Sequence, residues 1–310
     1  MAQPVESVAV KAGRDLQECE SLLQSARAGL FAARGKRVRP GRDEKILTSW
    51  NALMIEGMAH AARVFGLDDW HLSARRAMDF VTAKMWKQGR LLATYKDGRA
   101  HLNGYLDDYA FLLAALLEML QAEFAAGDLQ LATALADTLL ERFEDRAAGG
   151  FFFTSDDHEA LILRPKPGAD NATPSGNGIA ALALTRLGHL LGESRYLQAA
   201  DKAVRLFFPV MLLQPGGFST LCTALDEVLE PTRMVVLRGP RDALRPWQQT
   251  LSSRYLPDAM TLAIDPAPSA LPGVLNKPVG ATVNAYLCRG VICLAPIGDI
   301  QVLLANLETG

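Results

Sequence analysis

The chain has 310 residues, 49% of them hydrophobic, enough for a sizeable core in one large domain or two smaller ones. Its 32 basic and 34 acidic residues are mixed along the sequence to a formal net charge of -2, so there is no one-sided footprint for nucleic acid or an anionic membrane surface. Residues 1–15 carry no apolar stretch behind a basic segment, the longest apolar run (110–120) is broken by Glu118 and too short to span a bilayer, and four cysteines imply no disulfide framework; a cytoplasmic protein without a metal or cofactor is expected.

Leu16, Cys19, Leu22, Leu23, Ala26 and Leu30 recur at helical spacing, which predicts an amphipathic helix over 14–33 that needs a partner for its stripe. Next comes Arg37 to Asn51, a polar stretch with two arginines, a proline and the cluster Arg42, Asp43, Glu44 and Lys45. It leads into an apolar helix carrying Trp50, Leu53, Met54, Gly57, Met58, Ala61, Val64 and Phe65, with small residues suited to close helix packing. Residues 70–87 read as an outer helix, apolar on one side and charged on the others. Asp97-Gly98 marks the turn of a hairpin over 89–102.

The pattern then repeats. Asn103 to Tyr109 opens an apolar helix to about 124, and a more polar helix covers 128–145. Gly149 to Thr154 reads as a strand. After Arg164-Pro165-Lys166, Thr173 is the expected cap and Pro174 the first residue of a third apolar helix. Its mate covers 194–212, Gly216-Gly217-Phe218 echoes Gly149-Gly150-Phe151, and a fourth apolar helix starts near Thr220. Helical hairpins separated by short strands give a curved or closed ring. From Pro231 the texture changes to strands at 233–237 and 260–264 around a helix at 241–254, a hairpin over 281–294 turning at Arg289-Gly290, and a last helix over 298–308. Pro266, Pro268, Pro272 and Pro278 mark a loop inside this part. The expected division is a helical-hairpin domain over 14–230 and a small α/β appendage over 231–310.

Arg39-Pro40, Asp43, Lys45-Ile46-Leu47, Trp50-Asn51, Leu106 to Ala110, Gly150-Phe151-Phe152, Arg164-Pro165-Lys166 and Pro174 to Asn177 resemble successive blocks of one family, the thioredoxin-domain proteins related to spermatogenesis-associated protein 20. The resemblance implies a mainly α fold, an (α/α) toroid of helical hairpins similar to six-hairpin glycosidases and N-acylglucosamine 2-epimerases. Family members also carry a thioredoxin-like domain. This chain has no C-x-x-C motif and no thioredoxin-like start, and resembles only the C-terminal part. An incomplete toroid is therefore expected, whose exposed apolar faces call for a partner: an upstream chain with a thioredoxin-like domain, or self-association.

In such toroids the openings of the inner helices line a cavity, which makes Asp43, Lys45, Trp50, Asn51, Tyr105, Asp107, Asp108, Tyr109, Arg164, Lys166, Asn171, Ser175 and Asn177 its candidate lining. Facing carboxylates can act as acid and base on a glycosidic bond, and aromatic rings suit a sugar. Asp107 and Asp108 differ by about 100° around the helix, and the family pattern favours Asp108, with Asp43 as partner. Helix capping and the helix dipole explain the same carboxylates without catalysis. Epimerase chemistry would need histidines near the cavity; His60 and His189 sit late in their helices, and only His101 lies close to an opening. Arg37, Arg39, Arg164 and Lys166 either bind an anionic group or brace loops.

With the last hairpin turning at Arg289-Gly290, Cys288 and Cys293 form a diagonal pair roughly 6 to 8 Å apart, long for a disulfide. A redox couple, a metal site lacking other ligands, and two buried apolar cysteines all stay open; no metal is expected. The expected function is the toroid portion of a thioredoxin-domain-containing protein, a scaffold or ligand-binding part, saccharide being a candidate ligand, without a thioredoxin active site. The alternative is a carbohydrate-active enzyme using cavity carboxylates.

Overall fold

The computed structural model describes residues 3–159, 161–266, 271–290 and 292–308. The chain divides into two compact units, residues 1–44 and 45–310, so the boundary falls inside the polar stretch that precedes the first apolar helix. The first unit is a pair of helices, α1 (Val5–Ala12) and α2 (Leu16–Gly35). Gly13, with φ 62°, ends α1, and the Asp15 carboxylate caps α2 by accepting from the backbone N–H groups of Gln17 and Glu18. Ala9 and Cys19 are buried, whereas Leu22, Leu23, Leu30 and Phe31 stay exposed.

The second unit starts with a short strand, β1 (Ile46–Leu47), that turns directly into α3 (Thr48–Phe65). Gly66 takes the left-handed conformation that ends α3, and α4 (Asp68–Lys84) returns beside it. Then come β2 (Trp86–Lys87), β3 (Arg90–Lys96) and β4 (Arg99–Asn103). All three neighbours of β3 run antiparallel to it. Asp97 and Gly98 both have positive φ, as a tight hairpin turn requires. Next are α5 (Leu106–Ala122) and α6 (Ala126–Thr138), the latter continued by a π-helical turn, Leu139–Phe143.

The Gly149–Thr154 segment is not the expected strand; one antiparallel bridge, Glu144 to Phe151, forms there. Both glycines have positive φ, and a Cβ on Gly149 would strike the Lys202 carbonyl. The backbone is pressed against the helix that carries Lys202. Phe151 finds its partners on a side chain, donating to Asn177 Oδ1 at 2.7 Å and accepting from Asn177 Nδ2 at 2.9 Å.

The third hairpin is α7 (Gly176–Leu191) and α8 (Ser194–Leu213), followed by a 3-10 turn at Pro215–Gly217 and α9 (Ser219–Leu229). Ser175, not Thr173, caps α7: its Oγ accepts from Gly178 N–H, and the helix starts after Pro174. Helices α3, α5, α7 and α9 pack side by side in series, and α4, α6 and α8 each cover the inner helix that precedes them. The result is a mainly α, open (α/α) toroid segment. Alanines at 52, 59, 110, 115, 180 and 181, all buried, let its inner helices approach closely.

The last part holds β5 (Arg233–Arg238), α10 (Arg241–Ser252), β6 (Ala259–Ile264), β7 (Asn284–Arg289), β8 (Ile292–Cys293) and α11 (Ile300–Glu308). Its sheet order is β6-β5-β7-β8, with β5 parallel to β6 across α10 and antiparallel to β7. Alternation along β5 sends Met234 and Val236 into the helical core, and Val235 and Leu237 into a second core with residues of α10 and α11. The Gln248 side chain caps α5 by donating to the carbonyls of Gln121 and Ala122. Strand β6 adds a bond there, Thr261 N–H donating to the Gln121 side chain, so α10 and β6 together close the C-terminal end of α5. Pro268 lies outside the described residues.

Candidate functional site

Most of the polar residues at the inner-helix openings serve the backbone. The Asp108 carboxylate accepts from Tyr105 N–H and from Ser49 N–H, both at 2.8 Å, so it caps α5 and ties it to the start of α3. It is 3% exposed, and burial pushes it up to about 7 against the pull of those two amides. Tyr109 is fully buried and its hydroxyl accepts from Leu91 N–H. Asn177, also fully buried, gives its second amide hydrogen to the Pro167 carbonyl.

Arg164 lies over the Phe152 ring and donates to the Thr154 carbonyl; Lys166 pairs with Asp145 and donates to the Gly149 carbonyl. Both brace the segment between α6 and α7. Asn51 donates to the Leu47 carbonyl one turn back, and Tyr105 stacks between Phe153 and His158. Asn171 accepts from the Ala172 N–H. Trp50 and Lys45 are exposed, as is His101 on β4. Asp43 belongs to the first unit, on an exposed stretch without regular structure.

Asp107 differs from its neighbour. It is half-buried, its carboxylate lies where a Cβ on Gly176 would be, and burial pushes it up to about 6. Three turns along α5, which is about 20° off the same line, stands Glu118. The two share a stripe with Ala114 and Gln121, on which Asp107 and Ala114 are half-buried and Glu118 and Gln121 buried.

That stripe meets a set of charged side chains that the sequence reading did not single out as a site. Glu118, 8% exposed, accepts from Arg63 Nε at 2.8 Å and from Gln121 Nε2 at 3.0 Å, with His60 Nδ1 at 3.3 Å. Burial works to raise Glu118, yet the hydrogen bonds and charges of His60 and Arg63 hold it below the usual carboxylate range. The same hydrogen bond holds His60 above the usual imidazole value. From α7, Arg186 makes a two-pronged pair with Glu227 of α9, its Nε 3.0 Å from each oxygen. Glu227 is 5% exposed.

Glu56, one turn before His60, completes the row. Burial pushes it up to about 7, the charge of Glu118 adds to the rise, and Arg186 and His60 oppose it. Among the described residues, no group hydrogen-bonds to its carboxyl. Glu56, His60 and Arg63 on α3, Glu118 on α5, Arg186 on α7 and Glu227 on α9 thus form a polar row across four inner helices. A carboxyl that is half protonated near neutral pH can donate or accept a proton there, and the fixed pairs around it offer oriented donors and acceptors. Beside Arg63, a cleft of about 540 Å³ opens between the ends of α3 and α5 and helix α10, with His71, Glu123 and Arg241 in its walls.

One signal for this row is present in the sequence. Glu56, His60 and Arg63 follow i, i+4, i+7 spacing on an otherwise apolar helix, and Glu118 interrupts the longest apolar run. Burying such charges is costly unless they meet partners, so their presence on core helices points to a shared polar face.

The last hairpin corrects the expected register. Arg289 pairs with Ile292 and Cys288 directly with Cys293, one residue on from a turn at Arg289-Gly290. The two cysteines are opposite, not diagonal, with Cα atoms 3.9 Å apart, and they form a disulfide. Among the described residues there is no cluster of metal-ligating side chains and no helix long and apolar enough to cross a membrane.

No family model matches the chain. It is 30% identical over 314 aligned residues to human spermatogenesis-associated protein 20, an alignment that covers 95% of this chain and 40% of that protein. The rat and mouse counterparts are each 27% identical with the same coverage. Among solved structures, similarity extends to cellobiose 2-epimerase from Spirochaeta thermophila, with 20% identity, a TM-score of 0.44, and coverage of 53% of this chain and 43% of that one. A glycoside hydrolase of family 105 from C. acetobutylicum gives 12% identity, a TM-score of 0.44, and coverage of 66% and 61%. The chain is homologous to spermatogenesis-associated protein 20 and spans about two fifths of that protein's length.

Proposed function

We propose that the polar row on the inner helices is a binding face for an uncharged polyhydroxylated ligand, of which a saccharide is the prime example. The observation that carries this reading is the pairing of the row. Arg63 is matched by Glu118 and Arg186 by Glu227, so neither guanidinium is left for a phosphate or carboxylate, while spare lone pairs and N–H groups remain for hydroxyls. Bidentate guanidinium–carboxylate pairs are stiff, which lowers the entropic cost of ordering the face on binding.

The test is calorimetric titration of the chain with neutral and anionic oligosaccharides, repeated with Glu118→Gln. Binding of a neutral saccharide that weakens at least tenfold in the variant supports the reading. Equal binding by both proteins, or binding of anionic ligands alone, overturns it.

Glu56 supports a second reading, that the bound ligand is also turned over. A carboxyl near 7 is suited to general acid catalysis, with ionised Glu118 as its negatively charged neighbour. Turnover of a bound saccharide by the wild-type chain and its loss in Glu56→Gln, with affinity kept, would assign an enzyme. The partner expected from the sequence is kept as a proposal too: further helical hairpins, supplied by the part of the longer relatives outside this chain's span, cover the free face of α3.

A further inference from the structure

We propose that Cys288 and Cys293 are a reversible dithiol–disulfide pair, in which Cys293 is the attacking thiolate, Lys277 holds it ionised, and Cys288 resolves the intermediate. The chemical class of co-substrate is a low-molecular-weight anionic disulfide such as oxidised glutathione. This activity is separate from ligand binding on the inner helices.

Three features of the hairpin carry it. The sulfurs come from directly opposed residues on β7 and β8, so the two meet across one rung of the hairpin. The two sulfurs stand in unlike surroundings: Cys288 is fully buried against the helical core, whereas Cys293 is half-buried, between exposed Ile292 and Leu294. The Lys277 ammonium lies 3.1 Å from Cys293 Sγ and is also held over the Tyr286 ring, whose hydroxyl is fixed by the Pro278 carbonyl. An ammonium at that distance favours the thiolate over the thiol. Arg289, exposed at the hairpin end beside Ile292, adds a second positive charge for an anionic co-substrate.

The reduced pair reacts in two steps. Cys293 Sγ, as thiolate, attacks one sulfur of the glutathione disulfide; a new S–S bond forms to that sulfur, the old one breaks, and one glutathione thiolate leaves. That thiolate takes the proton of the Cys288 thiol. Cys288 Sγ then attacks Cys293 Sγ, closing the hairpin disulfide and expelling the second glutathione thiolate, which is protonated from solvent. Two electrons pass from the cysteine pair to glutathione, and the reverse sequence reduces the hairpin.

The experiment uses the full chain with Cys19→Ala and Cys222→Ser, which leaves one cysteine pair. After reduction, iodoacetamide alkylation of Cys293 is followed against pH. An inflection at least one pH unit below the ordinary thiol value of about 8.5, moving back toward it in Lys277→Met, is expected. In the Cys288→Ser variant, oxidised glutathione should leave one glutathione on Cys293, seen by mass spectrometry; in Cys293→Ser the Cys288 thiol should stay free. The pair present in the parent chain should close with oxidised glutathione faster than with neutral hydroxyethyl disulfide. An ordinary inflection insensitive to Lys277, or glutathione found on Cys288 in preference, overturns the assignment. Should either serine variant fail to fold, the alkylation profile and the rate comparison, both made on the parent chain, still decide.

Discussion

Asp107 and Asp108 are neighbours in sequence with different work. Asp108 holds two backbone amides; Asp107 is half-buried, its carboxylate beside Gly176. Replacing Asp108 by alanine strands two half-buried N–H donors at helix starts, and a loss of about 2 kcal/mol in unfolding free energy is expected. Asp107→Ala should cost under about 1 kcal/mol, since it removes a carboxyl that burial already disfavours. Urea unfolding of both variants checks the order; equal losses would show that the two carboxylates are equivalent.

Glu56 permits a prediction with a definite sign. Its folded value, about 7, lies above the ordinary 4.5, so the folded chain binds this proton more tightly than the unfolded chain. The stability it contributes is full below about 4.5 and is lost as pH rises through about 7. Glu56→Gln removes that loss. The variant should therefore match the parent near pH 4.5 and exceed it at pH 8, read as urea midpoints across that range. Asp107 and Asp108 titrate in the same direction in both proteins and cancel from the comparison. A difference between the two proteins that does not vary with pH would refute the assignment.

At the scale of elements, what was legible followed from periodicity and turn chemistry. The helices from α2 to α9 answer to apolar residues at three- and four-residue spacing, and Asp97-Gly98 turns where such a pair should. The Gly149–Thr154 segment shows the limit. Three phenylalanines after two glycines read as a strand, but the partner of Phe151 is the side chain of Asn177, and no sequence period announces a pairing across 26 residues. Asn177→Ala leaves the Phe151 N–H and the Phe151 carbonyl unmatched in the core, while the exposed Pro167 carbonyl keeps the Ser175 hydroxyl as donor. The substitution should cost about 3 kcal/mol, against about 1 for removing the Ser175 cap. Thermal unfolding of the two variants measures the ratio, and a smaller loss from Asn177→Ala would mean that this segment reseats without it. The site was less legible than the fold for a related reason. Polar residues crowd the helix openings, where backbone donors consume them, while the row from Glu56 to Glu227 draws three residues from α3 and one each from α5, α7 and α9, all apolar helices. Only packing brings those together.

For the second unit as a whole, the question is what α3 faces. Trp50, Met54, Gly57, Ala61 and Phe65 fall on one stripe at i, i+4, i+7, i+11, i+15, and Trp50, Met54 and Phe65 are 66%, 62% and 70% exposed. The opposite side of the same helix, with Ala52, Ile55 and Ala59 buried, is packed against its neighbours. An inner helix of a hairpin array normally has an inner neighbour on each side, and a stripe that sets glycine and alanine between large side chains has the relief another helix would fill. The chain by itself should then bind a hydrophobic dye and self-associate, with Met54→Lys plus Phe65→Lys suppressing both and leaving the unfolding free energy within about 0.5 kcal/mol of the parent, as expected for exposed positions. Joined to the remaining part of a full-length relative, the parent sequence should lose dye binding without any substitution. Light scattering and dye fluorescence on these three proteins separate the possibilities: a dye-silent, monodisperse parent chain would show that the stripe needs no cover, and a double variant that still associates would place the sticky surface elsewhere.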